Sequence, residues 1–310
     1  MRASTKAAIA LGALGVSAAA IVVIARLGGP GRGARADDAV DVDVVPRLPG
    51  RPGPRGELDD AVIATIRARP EVAWVVPREL LEAPASGSVD LAGQELRFEV
   101  GGFTDGIPPA AVADEPAIRS AFVDADADGD ADADPAAATG PACRPEDGAR
   151  ACPDELAHYC DARDLRCHPR VPVLLSPTMI ELYDDQLASS HGLPPSSALG
   201  LVDGQPRHRI PFTIVLGDAA ASPGPATPPA PGAPRPPRHL VGAVLVGISP
   251  RARKVGLTVP LADVLAWNRD FADAPSPPGT YTAASVRLRN AAGRAAFVRA
   301  MSAAGLDVVW

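Results

Sequence analysis

The stretch that most limits what this chain can become is LVGAVLVGI, Leu240 to Ile248. Leu240, Val241, Val244, Leu245, Val246 and Ile248 form a near-continuous apolar run, which suits a strand covered on both faces rather than one with a wet side. Such a strand needs partners along both edges, so the chain must build a sizeable sheet around it. The continuation agrees. Ser249-Pro250 turns the chain, Arg251 to Lys254 is a short basic segment, and GLTVP is extended. Pro260 then precedes an amphipathic helix in which Leu261, Val264, Leu265 and Asn268 recur at helical spacing. With 310 residues and 46% hydrophobic content there is material for one or two real cores, while 35 prolines and 29 glycines imply that sizeable stretches lie outside them.

The two ends of the chain repeat one pattern. Val40 to Val45 alternates valine and aspartate, a half-buried strand, and is followed by the turn-rich PRLPGRPGPRG. Glu57 to Arg69 is a helix with Leu58, Val62, Ile63 and Ile66 on one face, ended by Pro70, and Val72 to Val76 is a strand. Near the other end Tyr281 to Leu288 is a strand, Ala291 to Ala304 a helix stopped by Gly305, and Leu306 to Trp310 a strand. Two βαβ units predict an α+β fold in which both chain ends form a ferredoxin-like split sheet, with a β-rich subdomain inserted between about residues 80 and 280. The inserted part includes a strand at Glu95 to Val100, a helix at Pro177 to Leu187 and a strand at Phe212 to Leu216. Two low-complexity segments interrupt it, an Asp/Cys-rich insertion at 123–170 and a proline-rich linker at 222–237. Eight of that linker's 16 residues are proline, so it reads as a stiff connection between two strands of one sheet.

From Ala7 to Ala25 the chain runs 19 residues without a charge, preceded by Arg2 and Lys6. That is the length of one membrane-spanning helix, so residues 1–27 read as a transmembrane anchor, 28–38 as a flexible stalk and 39–310 as the folded domain. A cleaved signal peptide is the competing reading, with Ala34-Arg35-Ala36 as its site, although that site is far from the apolar segment. A lipoprotein anchor is excluded, because the first cysteine is Cys143. The net charge of −7 comes almost wholly from the six aspartates of Asp124 to Asp134; without them the chain is within one charge of neutral. No basic stripe with interleaved aromatics exists, and aromatics are only 4%, which gives a nucleic-acid partner little support.

VGISPRARKVGLTVPLADVLAWNRDF resembles a stretch in the periplasmic core domain of MacB-type and FtsX-like ABC-transporter permeases. The matching residues are Gly247, Ile248, Ser249, Arg251, Ala252, Gly256, Thr258, Pro260, Leu261, Val264 and Asn268. Further pieces similar to that family follow its order, at Leu96 to Val112, Val171 to Pro194 and Pro211 to Ala219. The resemblance implies a porter-like α+β half carrying an inserted β-rich half, on the periplasmic side of the inner membrane. It also implies a mechanical role in transport or export of a lipoprotein, a lipid or an efflux substrate. The partners it implies are an ABC ATPase and permease subunits, with periplasmic or outer-membrane export components. In that family three further membrane helices follow the domain; the sequence stops at Trp310 without them, and it carries no Walker motif. The expectation is a single-pass chain with three accounts open, a truncated or split permease whose membrane part is a separate chain, an accessory subunit, or a duplicated core domain repurposed for binding, with any ATP hydrolysis supplied by a separate ATPase subunit.

The residues themselves offer little chemistry beyond the insertion. DADADGDADAD sets Asp124, Asp126 and Asp128 at the first, third and fifth positions of a loop with Gly129 at the sixth, and Asp130 and Asp132 continue the alternation. Alternate carboxylates around a glycine turn are a calcium-binding pattern, but Pro135 stands where an EF-hand places its bidentate glutamate. Two readings stay open: a looser calcium loop, or an acidic Ala/Asp tract that only solubilises the insertion. Cys143, Cys152, Cys160 and Cys167 are all the cysteines of the chain. Four in a short insert downstream of an export segment read as two disulfides with three pairings open; zinc on Cys160 and Cys167 with His158 or His168 is the alternative, without a CxxC knuckle. No GxSxG, HExxH or phosphate loop occurs, and His191, His208 and His239 are scattered, so no catalytic residue is expected, and calcium on the first of the two readings is the one candidate cofactor. Asp184 and Asp185 fall on a solvated helix face, and His191 before Gly192 caps the end of that helix. A calcium-dependent envelope-binding or adhesion module is the rival function.

Overall fold

A computed structural model describes residues 39–47, 50, 56–116, 118–122, 140–146, 151–202, 205–206, 209–217, 238–273 and 276–309. The candidate anchor and stalk, the aspartate run and the proline-rich linker lie outside the described residues. Among the described residues no helix is long and apolar enough to cross a membrane. The chain forms β1 (Val40–Pro46), α1 (Asp60–Arg67), β2 (Val72–Leu80), β3 (Ala85–Leu91), β4 (Gln94–Glu99) and β5 (Thr104–Ile107). The insertion supplies β6 (His158–Asp161) and β7 (Arg166–Pro169); β8 (Val171–Leu175) and α2 (Pro177–Leu182) follow. Next come β9 (Leu201–Val202), β10 (Gln205–Pro206), β11 (Ile210–Leu216), β12 (His239–Ile248), β13 (Leu257–Pro260) and α3 (Leu261–Phe271). The chain closes with β14 (Ala283–Leu288), α4 (Arg294–Ala303) and β15 (Leu306–Val309). This is a mixed α+β fold, built on one eleven-stranded sheet ordered β15-β1-β14-β2-β5-β13-β8-β12-β11-β3-β4.

The strands from the two chain ends lie side by side in the order β15-β1-β14-β2, all antiparallel neighbours. Each helix of this half therefore joins two strands that have a third between them. Asp59 starts α1 by accepting a hydrogen bond from the Val62 amide at 2.8 Å, which satisfies one of the free first-turn donors. The apolar stripe of α1, Ile63 and Ile66, and that of α4, Phe297 and Met301, then close a core over Val42, Val44, Val286 and Leu288. This helix is three residues shorter at its start than the sequence pattern suggests, because the Asp59 cap fixes where it can begin.

The inserted half is a second core on the same sheet. Here β12 is parallel to β8 and antiparallel to β11, the two-edged burial that its apolar run demands. Val171, Val173, Ile214, Leu216, Val241, Ala243 and Val259 fill this core against Val264 and Trp267 of α3. Leu240, at the start of the run, is half-exposed, so cover on both faces begins only at Val241. A third cluster, Val76, Ile107, Val112, Ile118, Phe122, Leu174 and Ala252, fills the space between the two halves. One strand belongs to both. β2 pairs with β14 as far as Arg78, and Glu79 and Leu80 then pair with Gly106 and Asp105 of β5.

The insertion folds as a small hairpin, β6 against β7, stapled by Cys143–Cys160 and Cys152–Cys167. These two disulfides resolve the three open pairings and remove the zinc alternative, since no thiol is left to ligate. After α2 the helix runs on through π-helical turns at Tyr183–Ala188 and a last turn at Ser189–His191, ending at Gly192 with φ of 65°. It thus runs one turn past Leu187 and ends where the His191-Gly192 cap was expected, with Gly192 as the left-handed stop.

Candidate functional site at the junction of the two halves

A cleft of about 390 Å³ opens where the terminal half meets the inserted half, walled by β1, β2, β14 and the segment Pro250–Val255. Its polar groups form a chain. Arg78, on the shared strand β2 and almost wholly buried, donates from Nε to Ser285 Oγ at 2.6 Å, from one terminal nitrogen to Asp105 Oδ2 at 2.5 Å and from the other to the Arg251 carbonyl. Asp105 accepts a second bond from Thr258 Oγ1 at 2.6 Å, and Thr258 Oγ1 in turn accepts from the Arg253 amide. Ser285 Oγ donates to Asp43 at 2.6 Å. A buried guanidinium costs least when a carboxylate lies beside it and its nitrogens find acceptors; Arg78 has Asp105 beside it and donates one bond from each of its three nitrogens. One connected network thereby links β1, β14, β2, β5 and β13.

The residues after β12 extend this network outward. Ser249 Oγ donates to Glu115 at 2.8 Å and accepts from the Arg251 amide at 3.0 Å. Arg251 reaches Asp114 and the Ala111 carbonyl, and its guanidinium lies 5.4 Å from the centre of the Trp74 ring, as does that of Arg287. Arg287 is held by both oxygens of Asp41 at 2.7 Å. The Arg251 pairing pulls the Asp114 carboxyl below its ordinary range, whereas burial pushes Glu115 up. Gly256 has a φ of +120°, and a β-carbon there would sit 1.7 Å from the Phe103 carbonyl oxygen, so no other residue fits.

Asn268 of α3 closes the other side. It is buried, accepts from the Glu82 and Ala83 amides at 2.7 and 3.2 Å, and donates to the Leu80 carbonyl at 2.7 Å. It thus clasps the bend by which the chain leaves the shared strand. Where the chain returns, Glu79 lies fully buried, accepting from the Thr282 amide at 3.0 Å; burial raises its carboxyl above the ordinary range. Ser249, Arg251, Ala252, Gly256, Thr258 and Asn268, singled out in the sequence as one motif, therefore converge on this junction. Their partners Arg78, Asp105 and Glu115 were not legible. Nothing in their local sequence separates them from other charged residues.

The remaining candidates lie elsewhere. Asp124, Asp126, Asp128, Asp130 and Asp132 fall outside the described residues. Asp184 accepts from the Ser196 amide and hydroxyl at 2.7 and 2.5 Å, a structural bond that holds the loop after the long helix. In the hairpin, Asp161, Asp164 and His168 bring three ligand atoms together, and the buried His239 stands 3.7 Å from Asp161. However, Arg163 donates to Asp161 through both its amide and its guanidinium, so a cation already occupies that cluster. His208 is among the residues not described.

No protein-family model and no curated protein sequence matches the chain. Among solved structures, the periplasmic region of MacB from Actinobacillus actinomycetemcomitans aligns over 91% of this chain and 92% of its own, at 10% identity and a TM-score of 0.34. The extracellular domain of the noncanonic ABC-type transporter YknZ from Gram-positive bacteria aligns over 87% of this chain and all of its own, at 9% identity and a TM-score of 0.32. Both are periplasmic or extracellular domains, the class that the sequence motif resembles. At scores this low the likeness is one of extent, and no residue role is transferred from it.

Proposed function

We propose that this chain is an extracytoplasmic, transport- or export-associated subunit of the ABC-permease kind, tethered by residues 1–27. It works by coupling movements of its two halves or by docking, not by bond-making chemistry of its own. The single observation that carries this reading is the convergence of the resemblance motif on the junction between the halves. A motif spent on fixing how two halves meet is what a mechanical element needs. The antiparallel order β15-β1-β14-β2 supports reading the terminal half as a ferredoxin-like, porter-like subdomain. Two disulfides in a small insertion support an oxidising, periplasmic compartment. ATP hydrolysis would come from a separate ATPase chain, and the cargo would be a lipoprotein, a lipid or an efflux substrate.

The test is extraction of the native protein from membranes followed by identification of what co-purifies. An ABC ATPase and a multi-span permease chain are the expected partners. A chain recovered from the cytosol with four reduced thiols, or from membranes with neither partner, would overturn the reading.

A further inference from the structure

Across Val255 from the polar cleft, an apolar cavity of about 240 Å³ lies between the outer sheet strands and the long helix that begins with α2. Val89, Leu96 and Phe98 form part of its floor, and Met179, Ile180 and Leu187 part of its roof. All six are half-buried, and the helix above them is held by polar bonds. Tyr183 donates to the Pro194 carbonyl at 2.7 Å, Asp184 holds Ser196, and Ser176 at the helix start donates to the Lys254 carbonyl at 2.7 Å. The helix is thus tied to its flanking loops, and the roof carries a π-helical stretch of the sort that recurs at functional sites.

The lining also says what would enter. Glu99 is the one charged residue among those lining the cavity, and the Tyr183 hydroxyl is committed to Pro194. An interior with so few polar groups suits hydrocarbon. An apolar cavity of about 150 Å³ already takes a six-carbon ring, so by proportion this one takes about ten carbons. Val255 lines both this cavity and the polar cleft, whose wall carries Arg253 and Lys254. Asp41, Asp43 and Asp105 of that cleft are already bonded to Arg287, Ser285 and Arg78. Arg253 bonds the carbonyls of Val255 and Gly102, and Lys254 is exposed, leaving cationic groups at the shared wall. We infer that the inserted half binds a single acyl chain here, with its anionic end toward Arg253 and Lys254. The inference deepens the transport reading by naming a cargo chemistry, and it rests on that reading only for the word cargo.

The experiment uses the full chain in its own membranes and a fatty acid carrying a photoactivatable group near its methyl end, with cross-links mapped by mass spectrometry. Labelling is expected in the peptides spanning residues 89–98 and 177–187, competed by dodecanoate and not by an alkylammonium of the same length. Ile180→Trp, which fills the cavity, should bring that labelling to background. Lys254→Glu, an exposed position that tests the anionic end without disturbing packing, should weaken competition by dodecanoate. Competition by a lysophospholipid and by an N-acylated peptide of equal chain length then tells a lipid source from a lipid-modified protein. Labelling confined to residues 7–25, or unchanged in both variants, overturns the inference. Labelled protein without an ATPase partner would sink only the transport reading; partners without labelling would sink only the cavity.

Discussion

Replacing Asn268 with alanine tests whether the junction is held as described. The amide makes three hydrogen bonds, to the Glu82 and Ala83 amides and to the Leu80 carbonyl, and water cannot readily replace it at Ala83, which is fully buried. A net loss of about 1 kcal/mol for each ordinary bond, and about 1–3 kcal/mol where a buried group is stranded, gives about 3–5 kcal/mol in all. For a domain of this size that corresponds to a fall in melting temperature of roughly 6–15 °C. Thermal unfolding by circular dichroism, with the disulfides oxidised, reads it directly. Asn268→Asp sharpens the test. The carboxyl keeps both acceptor contacts, and only its protonated form can donate to Leu80, so its deficit relative to wild type should shrink as pH falls. That of Asn268→Ala should not. A loss below about 1 kcal/mol for the alanine variant, or no pH trend for the aspartate one, would refute the clasp.

Gly256→Ala forces a β-carbon onto the Phe103 carbonyl in a backbone region that alanine avoids, so it should cost about 3 kcal/mol or more, read in the same melt. Reduction of the Cys143–Cys160 and Cys152–Cys167 links, which span 17 and 15 residues, should release about 3 kcal/mol of local stabilisation each; limited proteolysis should then cut the hairpin first and spare β12. Glu79, raised by burial, binds its proton more tightly folded than unfolded, so its contribution is present at low pH and fades as pH rises through its folded value; Glu115 acts in the same direction. Glu79→Gln should flatten part of that fall in a pH series of melts, and an unchanged slope would rule Glu79 out. Addition of millimolar calcium should leave the melting temperature unchanged; a clear rise would favour the envelope-binding module instead.

How much of this was legible depends on how local the signal is. The terminal helices and β12 announce themselves, because their apolar spacing is complete within one segment. By contrast β3, ASGSVDL, has a single β-branched residue and β5, TDGI, is four residues long with Asp-Gly at its centre, and both exist as strands because neighbours supply their ladders. The two disulfides followed from cysteine number and their place downstream of the export segment, while their pairing did not, since Cys160 and Cys167 stand opposite each other in the hairpin yet bond Cys143 and Cys152. The motif after β12 was readable as a unit. Its meaning was not, since Ser249 meets Glu115 across 134 residues and Thr258 meets Asp105 across 153.

The strand shared by the two halves has a consequence of its own. Because Val72 to Leu80 is one continuous strand, paired with β14 over most of its length and with β5 at its last two residues, torque applied to one half of the sheet is delivered to the other half as twist along a common rod. Two rungs are the weakest part of that transmission. Any relative rotation of the halves should therefore register first as exchange of the Leu81 amide, which donates across this boundary to the Thr104 carbonyl at 2.8 Å, before either core loosens.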